Sequence, residues 1–282
     1  GLGDVYKRQM SNCSSCPSHG SCSKSESSCG VQNNPNNKIK KIIGVMSGKG
    51  GVGKSTLSVL IAKALNKKGF KVGVMDADIT GPSIPRLLHI KDEKAMTTGE
   101  TIHPVATQEG IKVMSLNLLI EDENQPVIWR GPVIAGAVKQ FYTDVLWGEL
   151  DYLVIDMPPG TGDVALTVMQ SIPMTGIVMI STPQDMVSMI VSKAINMARK
   201  IDIPVLGVIE NMSYVLCPDC DKKIRIFNKE GMDQFLSNMD VELLGELPMM
   251  TEISSLSENV MPITNEEVQN VLEKTTQKII NA

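Results

Sequence analysis

No stretch of the 282 residues approaches the ~18 to 20 continuous apolar residues of a membrane span, and the N-terminus lacks the apolar core of a secretory signal. A membrane partner is therefore not expected, and the expected location is the cytoplasm. Neither sign of charge dominates. The 27 basic and 31 acidic residues leave a formal charge of -4, so nothing global favours nucleic acid or an anionic surface. Aromatic residues supply only 4% of the chain, yet 42% hydrophobic content at this length suffices for one large α/β domain or two small ones. Cysteine is absent from most of the sequence: all six fall in two tight groups, Cys13, Cys16, Cys22 and Cys29, then Cys217 and Cys220. Cysteines used as small core hydrophobes would be scattered, and disulfides need an oxidising compartment. Metal ligation is the better reading.

The chain changes character at Lys38. Residues 1–9 do not read as part of a fold; Asp4-Val5-Tyr6-Lys7-Arg8-Gln9 resembles a translated transposon end, and the native start is expected at Met10. Ser11 to Asn37 is Ser, Asn, Cys and Gly with almost no apolar residue, a composition that cannot order itself by burial. Residues 1–37 are thus expected to be a flexible tail unless metal folds them. From Lys38 onward, short apolar runs alternate with helical patterns, which predicts a doubly wound, mainly parallel α/β sheet in one domain spanning 38–282. The predicted strands are Ile42 to Met46, Val72 to Met75, Tyr152 to Ile155, Ile177 to Ile180, Val205 to Ile209 and Val241 to Leu244. Helices are predicted over Ser55 to Lys68, Pro132 to Trp147, Ala165 to Gln170, Asp185 to Lys200 and Glu266 to Ile280. Ile102 to Ala106 and Ile111 to Leu116, flanking Gln108-Glu109-Gly110, form a predicted hairpin.

Between the first strand and the first helix stands Gly48-Lys49-Gly50-Gly51-Val52-Gly53-Lys54-Ser55, which fits G-x-x-x-x-G-K-[ST]. Glycines let backbone N–H groups converge on phosphate oxygens, and the following helix adds the positive end of its dipole. In that role Lys54 neutralises the β and γ phosphates and the Ser55 hydroxyl ligates Mg²⁺. Asp156 ends one apolar run and is placed to hold Mg²⁺ through water. Asp76 and Asp78 end another, close enough to orient an attacking water. The plainer alternative for each aspartate, above all for Asp163 before a helix, is a cap or turn.

Over nearly all of Lys38 to Ala282 the sequence resembles the Mrp/ApbC-type iron-sulfur cluster carrier ATPases, within the deviant P-loop group that includes MinD and nitrogenase iron protein. The resemblance rests on the P-loop through Thr56, on Asp76-Ala77-Asp78-Ile79-Thr80-Gly81-Pro82-Ser83-Ile84-Pro85, Trp129-Arg130-Gly131-Pro132 and Asp156-Met157-Pro158-Pro159-Gly160-Thr161-Gly162-Asp163. It extends through Ser181-Thr182-Pro183-Gln184-Asp185, Glu210-Asn211-Met212-Ser213 and Cys217-Pro218-Asp219-Cys220. It implies ATP as the nucleotide, Lys49 as the lysine that reaches a partner subunit's ATP, Asp78 in switch I and Asp156 to Gly160 in switch II. It implies that Asn211 reads the adenine edge, the alternative being a strand-end asparagine capping a turn. It further implies a homodimer bridged by a 4Fe-4S cluster and apo iron-sulfur proteins as acceptors.

Cys217 and Cys220 are two thiolates, half the shell of a 4Fe-4S cluster or a structural zinc. A two-fold axis supplies an identical second pair. Spacing alone leaves zinc and iron-sulfur both open. Cys13, Cys16, Cys22 and Cys29 suffice for a second cluster, and their C-x2-C-x5-C part resembles a ferredoxin-like motif of eukaryotic and clostridial relatives; adventitious metal binding is the alternative. Two other functions compete. A positioning ATPase of the MinD or partition type predicts a basic C-terminal helix, whereas Glu266 to Ala282 sets Glu266, Glu267 and Glu273 against Lys274 and Lys278. An ATP-driven electron-transfer reductase shares a bridging cluster but not the closely spaced C-P-x-C.

Overall fold

The computed structural model describes residues 34–99, 101–120, 129, 131–184, 189–217, 219–220, 222–227, 232–250, 253 and 264–282. Cys13, Cys16, Cys22, Cys29, Arg130 and Asp185 lie outside the described residues, and with them the expected tail motif. The predicted parallel architecture is present. β1 (Lys38–Ser47) lies between β7 (Glu149–Asp156) and β8 (Gly176–Ser181), parallel to both. β2 (Val72–Asp76) follows β7, then β6 (Lys112–Met114) and the antiparallel edge strand β5 (Val105–Ala106). On the other side β8 pairs with β9 (Val205–Leu216), which carries β11 (Leu243–Pro248) in parallel and β10 (Lys223–Ile224) antiparallel. β3 (Met96–Thr98) and β4 (Thr101–His103) form a separate small hairpin.

The central strands carry buried apolar runs, such as Ile42 to Met46 of β1, because both sheet faces are covered there. In β1, Ile42 and Met46 join the core on one face and Ile43 and Val45 the core on the other, the two-residue period of a strand. The first face is covered by α3 (Gly131–Thr143), α4 (Asp163–Ser171), α5 (Met189–Lys200) and α6 (Met232–Asn238), through Phe141, Val168, Ile195 and Leu236. The second is covered by α1 (Lys54–Lys67), the short α2 (Ile84–Leu87) and α7 (Glu266–Asn281), through Leu57, Leu87 and Leu272. Among the described residues no helix is long and apolar enough to cross a membrane.

Several boundaries differ from expectation. The helix predicted to reach Trp147 ends at Thr143, because Ile102 draws the chain into a bridge: its N–H donates to the Asp144 carbonyl (3.1 Å) and the Leu146 N–H donates back (2.8 Å). Ile102 thereby leaves the predicted hairpin, of which the β5–β6 pair remains. The strand predicted at Val241 to Leu244 instead runs Leu243–Pro248; the Val241 N–H is committed to the Leu236 carbonyl closing α6. Gly245 lies inside that strand, and a side chain there would strike Val271 of α7 at 2.4 Å. Asp163 is the first residue of α4, with Gly162 as its cap, so it acts through the helix dipole and not as the cap.

Candidate functional site

The carboxyl ends of β1, β2, β7 and β8 share one sheet edge, where ligands of open α/β folds bind. The register pairs Asp156 with Val45 on one side and with Asp76 on the other, so the carboxylates are set beside the loop that follows β1. That loop turns tightly. Gly51 (φ 78°) and Gly53 (φ 84°) take left-handed conformations that cost a residue with a Cβ, and Gly53 caps α1 by accepting from the Leu57 N–H (3.0 Å). Around Gly50 and Gly51 a Cβ would meet open space, so the backbone there is accessible to a ligand.

Lys54, Ser55 and Ser58, on the first turns of α1, converge on one carboxylate. Lys54 Nζ donates to Asp156 Oδ1 (2.8 Å) and Ser55 Oγ to Asp156 Oδ2 (2.6 Å), with Ser58 Oγ 2.9 Å from Oδ1. Asp78 Oδ2 lies 3.7 Å from the same ammonium. Asp156 is fully buried and Lys54 nearly so, and an ion pair so desolvated persists because its remaining polar atoms are satisfied. Asp76 is the register partner of Asp156 on β2 and is equally buried. Its Oδ1 accepts from the Asp78 N–H (3.2 Å) and its Oδ2 from Ser115 Oγ (3.0 Å) and the Ile84 N–H (3.4 Å), so it fixes the start of the segment that carries Asp78. Burial, reinforced by the neighbouring Asp156, pushes the Asp76 carboxyl up to about 8, against the opposing pull of Lys54 and Ser115.

These groups wall a cavity of about 380 Å³ lined by Gly50, Gly51, Lys54, Ser55, Thr56 and Asp78, with Ser83, Arg86 and Leu87 also in its lining. A loop of backbone N–H groups, a buried ammonium and a helix N-terminus suit the phosphates of a nucleotide. Ser55 and Asp156 present hard oxygens of the kind Mg²⁺ takes. Lys49 is exposed at the rim, its carbonyl accepting from Ser47 Oγ (2.8 Å), and is not among the lining residues. Asn211 stands behind the loop: its buried Nδ2 donates to the Val52 carbonyl (2.9 Å), and a Cβ on Gly53 would lie 2.3 Å from it. The structure thus uses the Asn211 amide to brace the loop. Sequence reasoning missed Ser58, Ser115 and Arg86. Only Ser58 carried a signal, a hydroxyl one turn from Lys54 on the apolar side of its helix.

Cys217 and Cys220 lie in the turn between β9 and β10, Cys217 partly buried and Cys220 exposed. The Cys217 N–H donates to the Lys222 carbonyl (3.0 Å), closing that turn. β10 pairs with β9 at Lys223 and Ile224, and Ile226 and Phe227 beyond it are exposed. Among the described residues no three His, Cys, Asp or Glu side chains gather as a metal site.

Comparison with known proteins agrees with this geometry. The chain is 47% identical over 264 residues to an iron-sulfur cluster carrier protein of Clostridium perfringens, covering 89% of this chain and 93% of the relative. Among solved structures it resembles a nucleotide-binding protein in complex with ADP from Archaeoglobus fulgidus, at 41% identity and a TM-score of 0.69 over 83% of this chain and 88% of the other. The cell division ATPase MinD of Pyrococcus furiosus shares the fold, with a TM-score of 0.61 at 19% identity over 86% of this chain and 98% of the other. Residues 38–282 match the ParA family described as NUBPL iron-transfer P-loop NTPase, and the chain belongs to that family.

Proposed function

We propose that this protein is an ATP-hydrolysing carrier that holds a labile 4Fe-4S cluster as cargo and delivers it to apo iron-sulfur proteins. The observation that carries the reading is the course of β9: one strand braces the nucleotide loop at Asn211 and ends at Leu216, immediately before Cys217. A nucleotide switch and a thiol pair are thereby six residues apart. The C. perfringens relative's name supports the same cargo.

In this reading residues 38–282 form the ATPase domain and residues 1–37 its tail, in the cytoplasm. The loop Gly48 to Thr56 cradles the phosphates, with Lys54 supplying positive charge against the β and γ groups. Ser55 and, through water, Asp156 hold Mg²⁺, which when bound offsets charge on the phosphate oxygens. Asp78 orients the attacking water, and Lys49, exposed at the rim, reaches a second subunit. Asn211, with its Nδ2 held by the Val52 carbonyl, keeps its amide oxygen for the adenine edge. Two thiolates complete half of a four-ligand shell, and a homodimer brings the identical half across its axis. The competing positioning switch needs basic residues on α7, but Lys274 and Lys278 are engaged by Glu242 at 2.9 and 2.8 Å.

The test is iron content and visible absorption of anaerobically reconstituted full chain in which the four tail cysteines are serine. About four irons per dimer with a brown chromophore are expected, and both should be lost in Cys217→Ala. Stoichiometric zinc with no iron uptake would sink the carrier function. A monomer holding a complete cluster would sink the bridging arrangement.

A further inference from the structure

β9 is irregular between its two functional ends. Its pairing with β11 runs from Glu210 opposite Glu246 to Tyr214 opposite Pro248, so Asn211, Met212 and Ser213 face Leu247 alone. Met212, at the centre of this bulge, has φ 55°, a region sparsely populated by residues with a Cβ. Bulges re-aim side chains beside functional sites. Here the bulge sends Asn211 to the Val52 carbonyl of the nucleotide loop and Ser213 to Glu210, whose Oε2 accepts from Ser213 Oγ at 2.9 Å.

The thiol turn is anchored to the same bulge. Arg225, one residue beyond β10, donates from one guanidinium nitrogen to Ser213 Oγ (3.1 Å) and from the other to Glu246 Oε2 (2.7 Å). Glu210 and Glu246 are directly opposed across the β9–β11 pair, an arrangement that repels without a cation nearby. Arg225 supplies that cation from the far arm of the Cys217–Cys220 turn.

We propose that the Met212 bulge, with Ser213 and Arg225 as positioning residues, couples the nucleotide loop to the cysteine turn. Displacement of Val52 by nucleotide is passed through Asn211 to the bulge and through Ser213 and Arg225 to the presentation of Cys217 and Cys220. By linkage the coupling is reciprocal, so occupancy of the thiols alters nucleotide affinity by the same factor. The inference rests on the carrier reading for its purpose, but its test does not require a cluster.

The experiment measures alkylation rates of Cys217 and Cys220 in the full chain by peptide mass spectrometry, with and without a non-hydrolysable Mg-ATP analogue. In the parent protein nucleotide should change the rates by about fivefold or more, the lower range of allosteric coupling. Arg225→Ala should bring the ratio to within about twofold of unity while analogue affinity is retained, and Arg225→Lys should restore part of the response. Glu246→Gln, which loosens the anchor from its other side, should weaken the response in the same direction and serves if Arg225→Ala does not fold. A full response in folded Arg225→Ala or, failing that, in Glu246→Gln would overturn the proposal, as would no response in the parent. Iron uptake on the same samples separates the two readings: a response routed through Arg225 without iron uptake defeats the carrier function alone.

Discussion

The nucleotide edge and the cysteine turn sit near opposite ends of one strand segment and are constructed in opposite ways. At the nucleotide edge Lys54, Asp156 and Asp76 are buried, and their polar atoms are engaged by Ser55, Ser58, Ser115 and backbone N–H groups. At the cysteine turn the return strand has only Lys223 and Ile224, the cation of Lys223 is partly exposed, and Ile226 is 64% exposed. Preorganised charges in a dry site suit phosphoryl chemistry, whose geometry must not shift as charge develops. A turn with a two-residue, exposed return strand, tied down through Arg225, suits cargo that has to be accepted and released, since elements that move are drawn from the least stable part of a fold.

The sharpest way to break this contrast is at the buried end. Lys54→Ala should weaken Mg-ATP binding by about a hundredfold or more, measured by titration calorimetry, whereas Asp78→Ala should retain binding while turnover falls about a hundredfold or more. Unchanged turnover in Asp78→Ala would remove that residue from the mechanism. Gly53→Ala forces a Cβ into a left-handed residue and toward Asn211, and should cost about 1 to 3 kcal/mol in denaturant unfolding as well as nucleotide affinity.

A fourth change probes the pH dependence of the buried end. Because the folded Asp76 carboxyl titrates near 8, far above an ordinary aspartate, the native state binds the extra proton between about pH 4 and pH 8. This group's contribution to stability is therefore lost as pH rises through that window. Asp76→Asn should gain thermal stability relative to the parent as pH is raised from 6 to about 8.5, and an advantage independent of pH would refute the assignment. The smallest effect belongs to the exposed end. Lys223→Ala removes a half-exposed ion pair with Glu267 (2.8 Å) and should change unfolding free energy by less than about 0.5 kcal/mol.

What could be read in advance followed from local chemistry. The apolar runs around β1, β2, β7, β8 and β9 are visible because strands buried on both faces tolerate almost nothing polar, and the P-loop because its glycines and lysine are adjacent in sequence. β11 was displaced in the reading because its burial depends on α7 packing against Gly245, a partner far along the chain. The helix ending at Thr143 was overextended because its end is set by Ile102, across the fold.

By itself the sequence pointed to the parallel α/β class, the position of the nucleotide loop, and Lys54, Ser55, Asp76, Asp78 and Asp156 as the candidates around it. Each of those follows from short-range pattern. Tertiary structure alone decided that Ser58 and Ser115 complete the carboxylate shell, that Asn211 braces Val52, and that Arg225 ties the cysteine turn to Ser213 and Glu246. Those contacts join residues from separate elements whose spacing in the chain carries no periodic signal. They exist only once sheet register and a bulge at Met212 have brought their backbones to hydrogen-bonding distance.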